Sequence, residues 1–160
     1  AFVEAGLTPE KAYDLLKETV FLARKAIENA WQALSPEEQK QRLYPLVAGS
    51  VGPYAAYLAD GSEYTGDYQL SEEEFRDFHR PRIQALLEAG SDLLAIETIP
   101  NGAEAAAILR LLAEEFPKTE AYLSFVAQSE NTISDGTKIE LLGRLAQESP
   151  QVLAVVQLHI

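Results

Sequence analysis

Four short apolar segments alternate along the chain with longer stretches in which apolar residues recur at helical spacing. The apolar segments cover residues 46–50, 93–96, 121–126 and 152–156, and the helical stretches cover residues 8–34, 71–90, 101–116 and 138–148. Strands that are separated by helices form parallel sheets covered by those helices. The sequence therefore predicts one α/β unit of about four parallel strands. The alternation leaves open whether the sheet is doubly wound and open or part of a barrel.

Local signals mark where the helices begin and end. Thr8 followed by proline predicts a helix start, and Ser71 with Glu74 three residues later forms a capping box. Pro81 lies inside the second helical stretch, where it predicts a kink or a break. Between the first strand and this helix, residues 51–70 predict a long loop rich in Gly, Tyr and Asp. A loop of this length usually has a function of its own or covers part of the fold.

Composition excludes several classes of function. The net charge is −12, which argues against binding to a phosphate backbone, and no apolar run approaches the ~18 residues of a membrane span. No signal-peptide pattern is present, so we expect a cytoplasmic protein. The 160 residues contain neither Met nor Cys. We therefore expect a piece of a longer chain, without disulfides or thiolate metal ligands.

Small or polar residues follow three of the predicted strands at their carboxyl ends, where ligands bind in both parallel architectures. These candidate site residues are Gly49, Ser50, Val51, Gly52, Glu97, Thr98 and Ser124. Glu97 is the sharpest candidate, because a carboxylate at the end of a buried strand needs a cation, a donor or a metal. A substrate ammonium would serve. Alternatively, Glu97 pairs with an arginine or with backbone N–H groups and only holds loops together.

Other polar groups have simpler explanations. Residues 49–52 could present N–H groups to a carboxylate or only make a turn, and they match no phosphate-binding loop. His79 is predicted to be a surface or helix-packing residue rather than a catalytic one, because no Ser or Cys nucleophile lies beside it in sequence. The tyrosines of residues 54–68 are predicted to pack or to anchor their loop.

Several segments, taken in order, resemble the homocysteine S-methyltransferases. They are residues 47–54 (VAGSVGPY), 59–68 (ADGSEYTGDY), 78–83 (FHRPRI) and 92–100 (DLLAIETIP), followed by Ser124-Phe125 and by residues 134–137 (SDGT). The similarity extends from the first residues to about Val155. The length and the order of these motifs make the resemblance specific.

The resemblance implies that residues 1–160 are the central part of a single homocysteine-binding (β/α)8 barrel domain. The family transfers a methyl group from S-methylmethionine or S-adenosylmethionine to homocysteine and yields methionine. A zinc ion held by three cysteines binds the homocysteine sulfur as a thiolate. By motif, Glu97 would bind the homocysteine ammonium, and Ser50 with the turn at residues 49–52 would line the same pocket. Thr98 and Ser124 are further substrate-binding candidates, and no catalytic residue is assigned.

The chain departs from the family pattern at its fourth strand. Where the family continues with Gly-Ile/Val-Asn-Cys, this sequence has residues 156–160 (VQLHI), and His159 falls at the position of the first cysteine. One histidine cannot hold zinc against water, so no metal ligand is assigned. The alternative is therefore a truncated, non-catalytic homologue without the zinc site. Because four strands leave two sheet edges unpaired, we expect the isolated chain to be inactive and poorly soluble unless it self-associates.

Overall fold

The computed structural model describes residues 6–159, and for residues 157–159 it describes the backbone alone. Within these residues, helices and strands follow one another in the predicted order. The helices are α1 (Pro9–Gln32), α2 (Pro36–Lys40), α3 (Tyr54–Leu58), α4 (Ser62–Thr65), α5 (Glu72–Glu88), α6 (Gly102–Glu115) and α7 (Ile139–Gln147), and the strands are β1 (Ala48–Val51), β2 (Leu93–Ile99), β3 (Ala121–Ala127) and β4 (Val152–His159). None of the helices in this part of the chain combines the length and apolarity needed to cross a bilayer.

The four strands form one parallel sheet in the order β1-β2-β3-β4. Its register aligns the residues of successive strands in rows. One row consists of Val51, Ile96, Leu123 and Val155, of which the first three are at most 1% exposed. These three belong to one core cluster with residues of α1, α5, α6 and α7, namely Val20, Ile83, Leu86, Ile108, Leu111, Leu112 and Leu142. The long helices therefore cover the same face of the sheet.

The opposite face carries the row Ser50, Ala95, Tyr122 and Ala154, because side chains alternate along each strand. Ser50 and Ala154 in this row are exposed. A sheet wound in sequential order with its helices on one face is a segment of a (β/α)8 barrel, whereas a doubly wound sheet has helices on both faces. The predicted fold class, a partial (β/α)8 barrel, is confirmed. The doubly wound alternative is wrong.

Several boundaries differ from the sequence-based prediction. The strand β2 continues through Glu97 to Ile99, and the predicted loop at residues 51–70 contains the short helices α3 and α4. Pro81 lies inside the uninterrupted helix α5. Because proline has no N–H, Pro81 leaves the carbonyl of Asp77 without its helical donor, and the helix continues around this one missing bond.

At the amino ends of the strands, Asp92 ties β1 to β2. Its carboxylate accepts from the Val47 backbone N–H at 2.6 Å and from the Arg24 guanidinium at 2.8 Å. The Val47 hydrogen bond, followed by the bond and charge of Arg24, lowers the pKa of Asp92. This cluster lies at the edge opposite to the predicted site and serves the fold.

At the carboxyl ends of the strands, the segment between β1 and α5 folds over the start of α6. The Asn101 side-chain amide donates to the carbonyls of Gly66 and Tyr68 at 3.2 and 3.1 Å. Its amide oxygen accepts from the N–H groups of Ala103 and Glu104 and so caps α6. One side chain therefore both begins the helix and holds the loop against it.

Gly66 shows how closely this loop approaches its neighbours. Its φ is +70°, and a Cβ there would lie 2.5 Å from the Pro100 carbonyl oxygen and 2.9 Å from the Asp135 Cβ. Gly61 has a similarly positive φ of +91°, but a Cβ there would meet nothing within 4 Å. Both glycines thus have a positive φ, but only Gly66 lies too close to neighbouring atoms to accept a Cβ.

We predict that Gly61→Ala lowers the free energy of unfolding by about 1 kcal/mol, because it places a Cβ in a left-handed conformation. Gly66→Ala should lose a further ~1–3 kcal/mol, because the loop must also move away from Pro100. Urea denaturation of the two variants measures the difference. Equal losses would contradict the close packing of this loop.

Candidate functional site

A β-bulge shapes the carboxyl end of β2. Ile96 pairs with Leu123 and Ile99 pairs with Phe125, so three steps along β2 match two steps along β3. The extra residue lets Ile96 and Ile99 both reach the buried core, while Glu97 lies on the face of Ser50 and Ala95. The bulge thus places the polar residues Glu97 and Thr98 between two core residues, Ile96 and Ile99.

Thr98 adopts the conformation that makes the bulge, with a φ of +57°. Its backbone N–H donates to the Ser124 hydroxyl at 2.9 Å, and its own hydroxyl donates to the Glu97 carbonyl at 2.7 Å. Ser124 is only 4% exposed. A bulge leaves backbone groups without ladder partners, and here the two hydroxyls supply a partner for one N–H and one C=O. The structure therefore gives Thr98 and Ser124 a role in holding the bulge.

Glu97 and Ser50 meet across the β1–β2 pair. The Ser50 hydroxyl donates to Glu97 Oε1 at 2.5 Å. Glu97 lies on the open face of the sheet and is half-buried. The expectation that its carboxylate is buried is therefore wrong. None of the ion pairs among the described residues includes Glu97. The carboxylate has a hydroxyl donor, and the alternative in which an arginine neutralises it finds no support in the described part of the chain.

Residues 49–52, predicted to form a turn, do not all face the same side of the sheet. Val51 is 1% exposed and belongs to the core, and a Cβ on Gly49 would lie 2.8 Å from the Ser91 hydroxyl and 3.0 Å from the Leu86 Cβ. Strand alternation places both on the face that the helices cover. Ser50 and Gly52 are exposed, and a Cβ on Gly52 would meet nothing within 4 Å. Of the four, Ser50 and Gly52 are open to a ligand.

A cavity of about 440 Å³ opens beside this turn. Its walls come from residues 50–53 and from α1, α3 and α5, and Ser50 connects it to the Glu97 carboxylate. Arg82 lies in its wall with its guanidinium 3.6 Å from the centre of the Phe78 ring, and burial lowers the pKa of Arg82. A second, more polar cavity of about 660 Å³ lies between residues 65–70 of the segment after β1 and the loop after β3, beside the start of α6.

The fully buried carboxylate of this region is Glu104, which sequence analysis did not single out. It is 0% exposed, and it accepts from the Tyr54 backbone N–H at 2.6 Å and from the Tyr68 hydroxyl. His79 Nε2 lies 2.7 Å from the same oxygen that Tyr54 contacts. In sequence, an acidic residue three positions after an asparagine cap is typical of an exposed first turn. The local sequence pattern therefore did not indicate that Glu104 is buried, because its burial depends on residues that are distant in sequence.

His79 is 0% exposed and lies between α5 and α6, so the helix-packing interpretation is confirmed and the surface one is wrong. Its Nδ1 has no hydrogen-bond partner among the described residues. Burial, then the charge of Glu104 and the bond to it, raise the pKa of Tyr68. Tyr68 therefore keeps its proton and acts as a donor to the Glu104 carboxylate.

The described residues do not fit the zinc site that the resemblance implies. They contain no group of three or more His, Cys, Asp or Glu side chains that could hold a metal ion, and the sequence has no cysteine. The backbone of His159 pairs with Ala127 at the end of β4, but its side chain lies outside the described residues. The expectation for His159 stays untested.

The sequence matches the family profile described as Homocysteine S-methyltransferase over residues 2–157. The chain belongs to this family. It is 47% identical over 154 residues to the homocysteine S-methyltransferase of Escherichia coli (strain K12) and 46% identical over 154 residues to the homocysteine S-methyltransferase YbgG of Bacillus subtilis (strain 168). Each match covers 96% of this chain and 48% of the relative.

A solved structure shares the fold. The metallated form of the homocysteine methyltransferase MmuM from Escherichia coli superposes with a TM-score of 0.90 at 46% identity, over 98% of this chain and 52% of that one. The chain therefore spans about half the length of the homocysteine S-methyltransferases that it matches. The resemblance inferred from the sequence motifs is confirmed, and the metal of the solved relative has no counterpart among the residues described in this chain.

We predict that Tyr68→Phe lowers the free energy of unfolding by roughly 1.5–3 kcal/mol, because it removes a donor from a buried carboxylate. Tyr64→Phe is the matched control: Tyr64 is 63% exposed, and its change should stay within about 0.5 kcal/mol. Urea denaturation followed by tryptophan fluorescence measures both. If both variants unfold at the wild-type midpoint, the Glu104 network does not stabilise the fold.

Proposed function

We propose that residues 1–160 form the central part of a single homocysteine-binding (β/α)8 barrel domain, and that the whole protein is a homocysteine S-methyltransferase. Family membership supports the activity, and the open carboxylate of Glu97 supports the binding site. The Glu97 carboxylate accepts a hydrogen bond from the Ser50 hydroxyl, on a face of the sheet that no described helix covers. A carboxylate in this setting is suited to a ligand ammonium.

The reaction that this proposal implies is a methyl transfer between two sulfur atoms. The thiolate sulfur of homocysteine attacks the methyl carbon of a sulfonium donor, S-methylmethionine or S-adenosylmethionine. The new S–CH3 bond forms as the old C–S⁺ bond breaks, and the bonding electron pair stays on the departing sulfur. The products are methionine and a neutral thioether, so the leaving group needs no proton.

The residues described here account for binding and orienting homocysteine. Glu97 binds its ammonium, Ser50 orients the Glu97 carboxylate, and the exposed backbone at Gly52 lies where the amino-acid carboxylate can approach. Thr98 and Ser124 act indirectly, because they hold the bulge that aims Glu97. The zinc of the family would keep the sulfur deprotonated when bound, but its donors are not among these residues.

The second candidate is a homologue without the zinc site and without catalytic activity, and it is supported by residues 156–160 (VQLHI), which stand where the family continues with Gly-Ile/Val-Asn-Cys. Metal analysis separates the two candidates at the level of the protein that carries these residues. One zinc ion per chain, together with methionine formation, supports the enzyme. A metal-free protein that binds homocysteine without forming methionine supports the homologue.

The binding role of Glu97 can be measured in the whole protein that carries these residues, by titrating it with L-homocysteine and following backbone NMR signals. We predict that Glu97→Gln weakens homocysteine binding by about tenfold or more, because a charge-assisted hydrogen bond to the ammonium is lost. The affinity for 4-mercaptobutanoate, which has the thiol and carboxylate but no ammonium, should not change in this variant.

Glu130→Gln is the matched control, because Glu130 is an exposed glutamate in the loop after β3. It should bind both compounds like the wild type. Equal losses for both compounds in Glu97→Gln, or no loss for homocysteine, would contradict the ammonium contact.

A further inference from the structure

Gly52 and Pro53 form the turn between the end of β1 and the helix α3, and the first N–H group of this helix is capped by a side chain outside the helix. The N-cap residue is Pro53, which makes no side-chain cap bond. The N–H of Tyr54, the first residue of the helix, instead donates to Glu104 Oε1 at 2.6 Å. The first N–H groups of a helix have no partner within the helix, so a carboxylate brought from α6 supplies what the local sequence lacks.

The same carboxylate is held in place by groups on two other segments. His79 of α5 lies 2.7 Å from Oε1, and the Tyr68 hydroxyl donates to Oε2. Burying a carboxylate costs free energy, and well-packed apolar side chains often serve stability as well or better. Stability alone therefore leaves the choice of a buried glutamate at this position unexplained.

The position of Glu104 relative to the end of β2 is fixed by a short connection along the chain. Glu104 lies on the first turn of α6, which Asn101 caps, and α6 starts three residues after Ile99. The strand carrying Glu97 and the helix carrying Glu104 are thus joined by a two-residue connection. A bond from Glu104 to Tyr54 consequently sets Gly52 and Pro53 near Glu97, whose carboxylate accepts from the hydroxyl of Ser50 in the adjoining strand β1.

We propose that Glu104 is a positioning residue for homocysteine: by fixing the Tyr54 N–H it holds the turn at Gly52 and Pro53 at the distance from Glu97 that an amino acid requires, while the β1–β2 pairing holds Ser50. This inference rests on the proposed function, because it concerns the same substrate. Glu104 does not touch the substrate. It acts through the backbone of the turn.

The bond can be removed without touching Glu104. Tyr54→Pro deletes the N–H at the first helical position, where proline is well tolerated, and Pro53 already has the extended conformation (φ −70°, ψ 159°) that a following proline requires. Tyr54→Ala removes the same aromatic ring and keeps the N–H. The difference between these two variants therefore isolates the hydrogen bond to Glu104.

We predict that Tyr54→Pro binds L-homocysteine about tenfold more weakly than Tyr54→Ala, with both measured by NMR titration of the whole protein that carries these residues. Glu104→Gln provides the rescue test. Its amide oxygen can still accept from Tyr54 while its NH2 group donates to the Tyr68 oxygen, so binding should stay within about threefold of the wild type. Leu112→Ala, a buried change in the same helix, controls for general loss of stability and should leave the affinity unchanged.

The outcomes separate this inference from the proposed function. If the wild type binds homocysteine through Glu97 but Tyr54→Pro and Tyr54→Ala bind it equally, the positioning role is wrong and the proposed function stands. If Leu112→Ala weakens binding as much as Tyr54→Pro does, the effect is one of stability and the inference is also wrong. If the wild type does not distinguish homocysteine from 4-mercaptobutanoate, the proposed function fails and the inference fails with it.

Discussion

The hydrogen bonds of the buried Glu104 carboxylate hold together the segments at the carboxyl ends of the strands, which form the carboxyl-terminal rim of the sheet. The carboxylate brings together the start of α3, the middle of α5 and the loop that carries Tyr68, all at the first turn of α6. Each of these segments contributes one hydrogen-bond partner to the carboxylate. Removing one partner of such a network leaves buried polar groups unsatisfied, which costs more than the bond itself contributes.

The two carboxylates of the rim have complementary environments. Glu104 is completely buried and is bonded to Tyr54, Tyr68 and His79, whereas Glu97 is half-buried and its carboxylate accepts from one hydroxyl on the open face of the sheet. The β-bulge at Thr98 separates the part of β2 that packs on the helices from the part that faces outward. The first carboxylate therefore ties together the segments at the carboxyl ends of the strands, and the second is open to a ligand.

The sequence predicts the strands and helices well because their signals are local: apolar periodicity, capping residues and the position of prolines. The site is harder to predict. Alternation along β1 could have shown that Gly49 and Val51 face the helices while Ser50 faces outward. The bulge at Thr98 could not be seen, since it depends on the register between β2 and β3. Glu104 was missed because its burial comes from residues 25 to 50 positions away.

The most direct test of this account is a crystal structure of the protein with L-homocysteine bound. We predict that the ammonium nitrogen lies within about 3 Å of a Glu97 carboxylate oxygen, as in a charge-assisted hydrogen bond. The rest of the amino acid should lie against Ser50 and Gly52. A homocysteine bound elsewhere, such as in the polar cavity beside Asp135, with Glu97 still occupied by Ser50 alone, would contradict it.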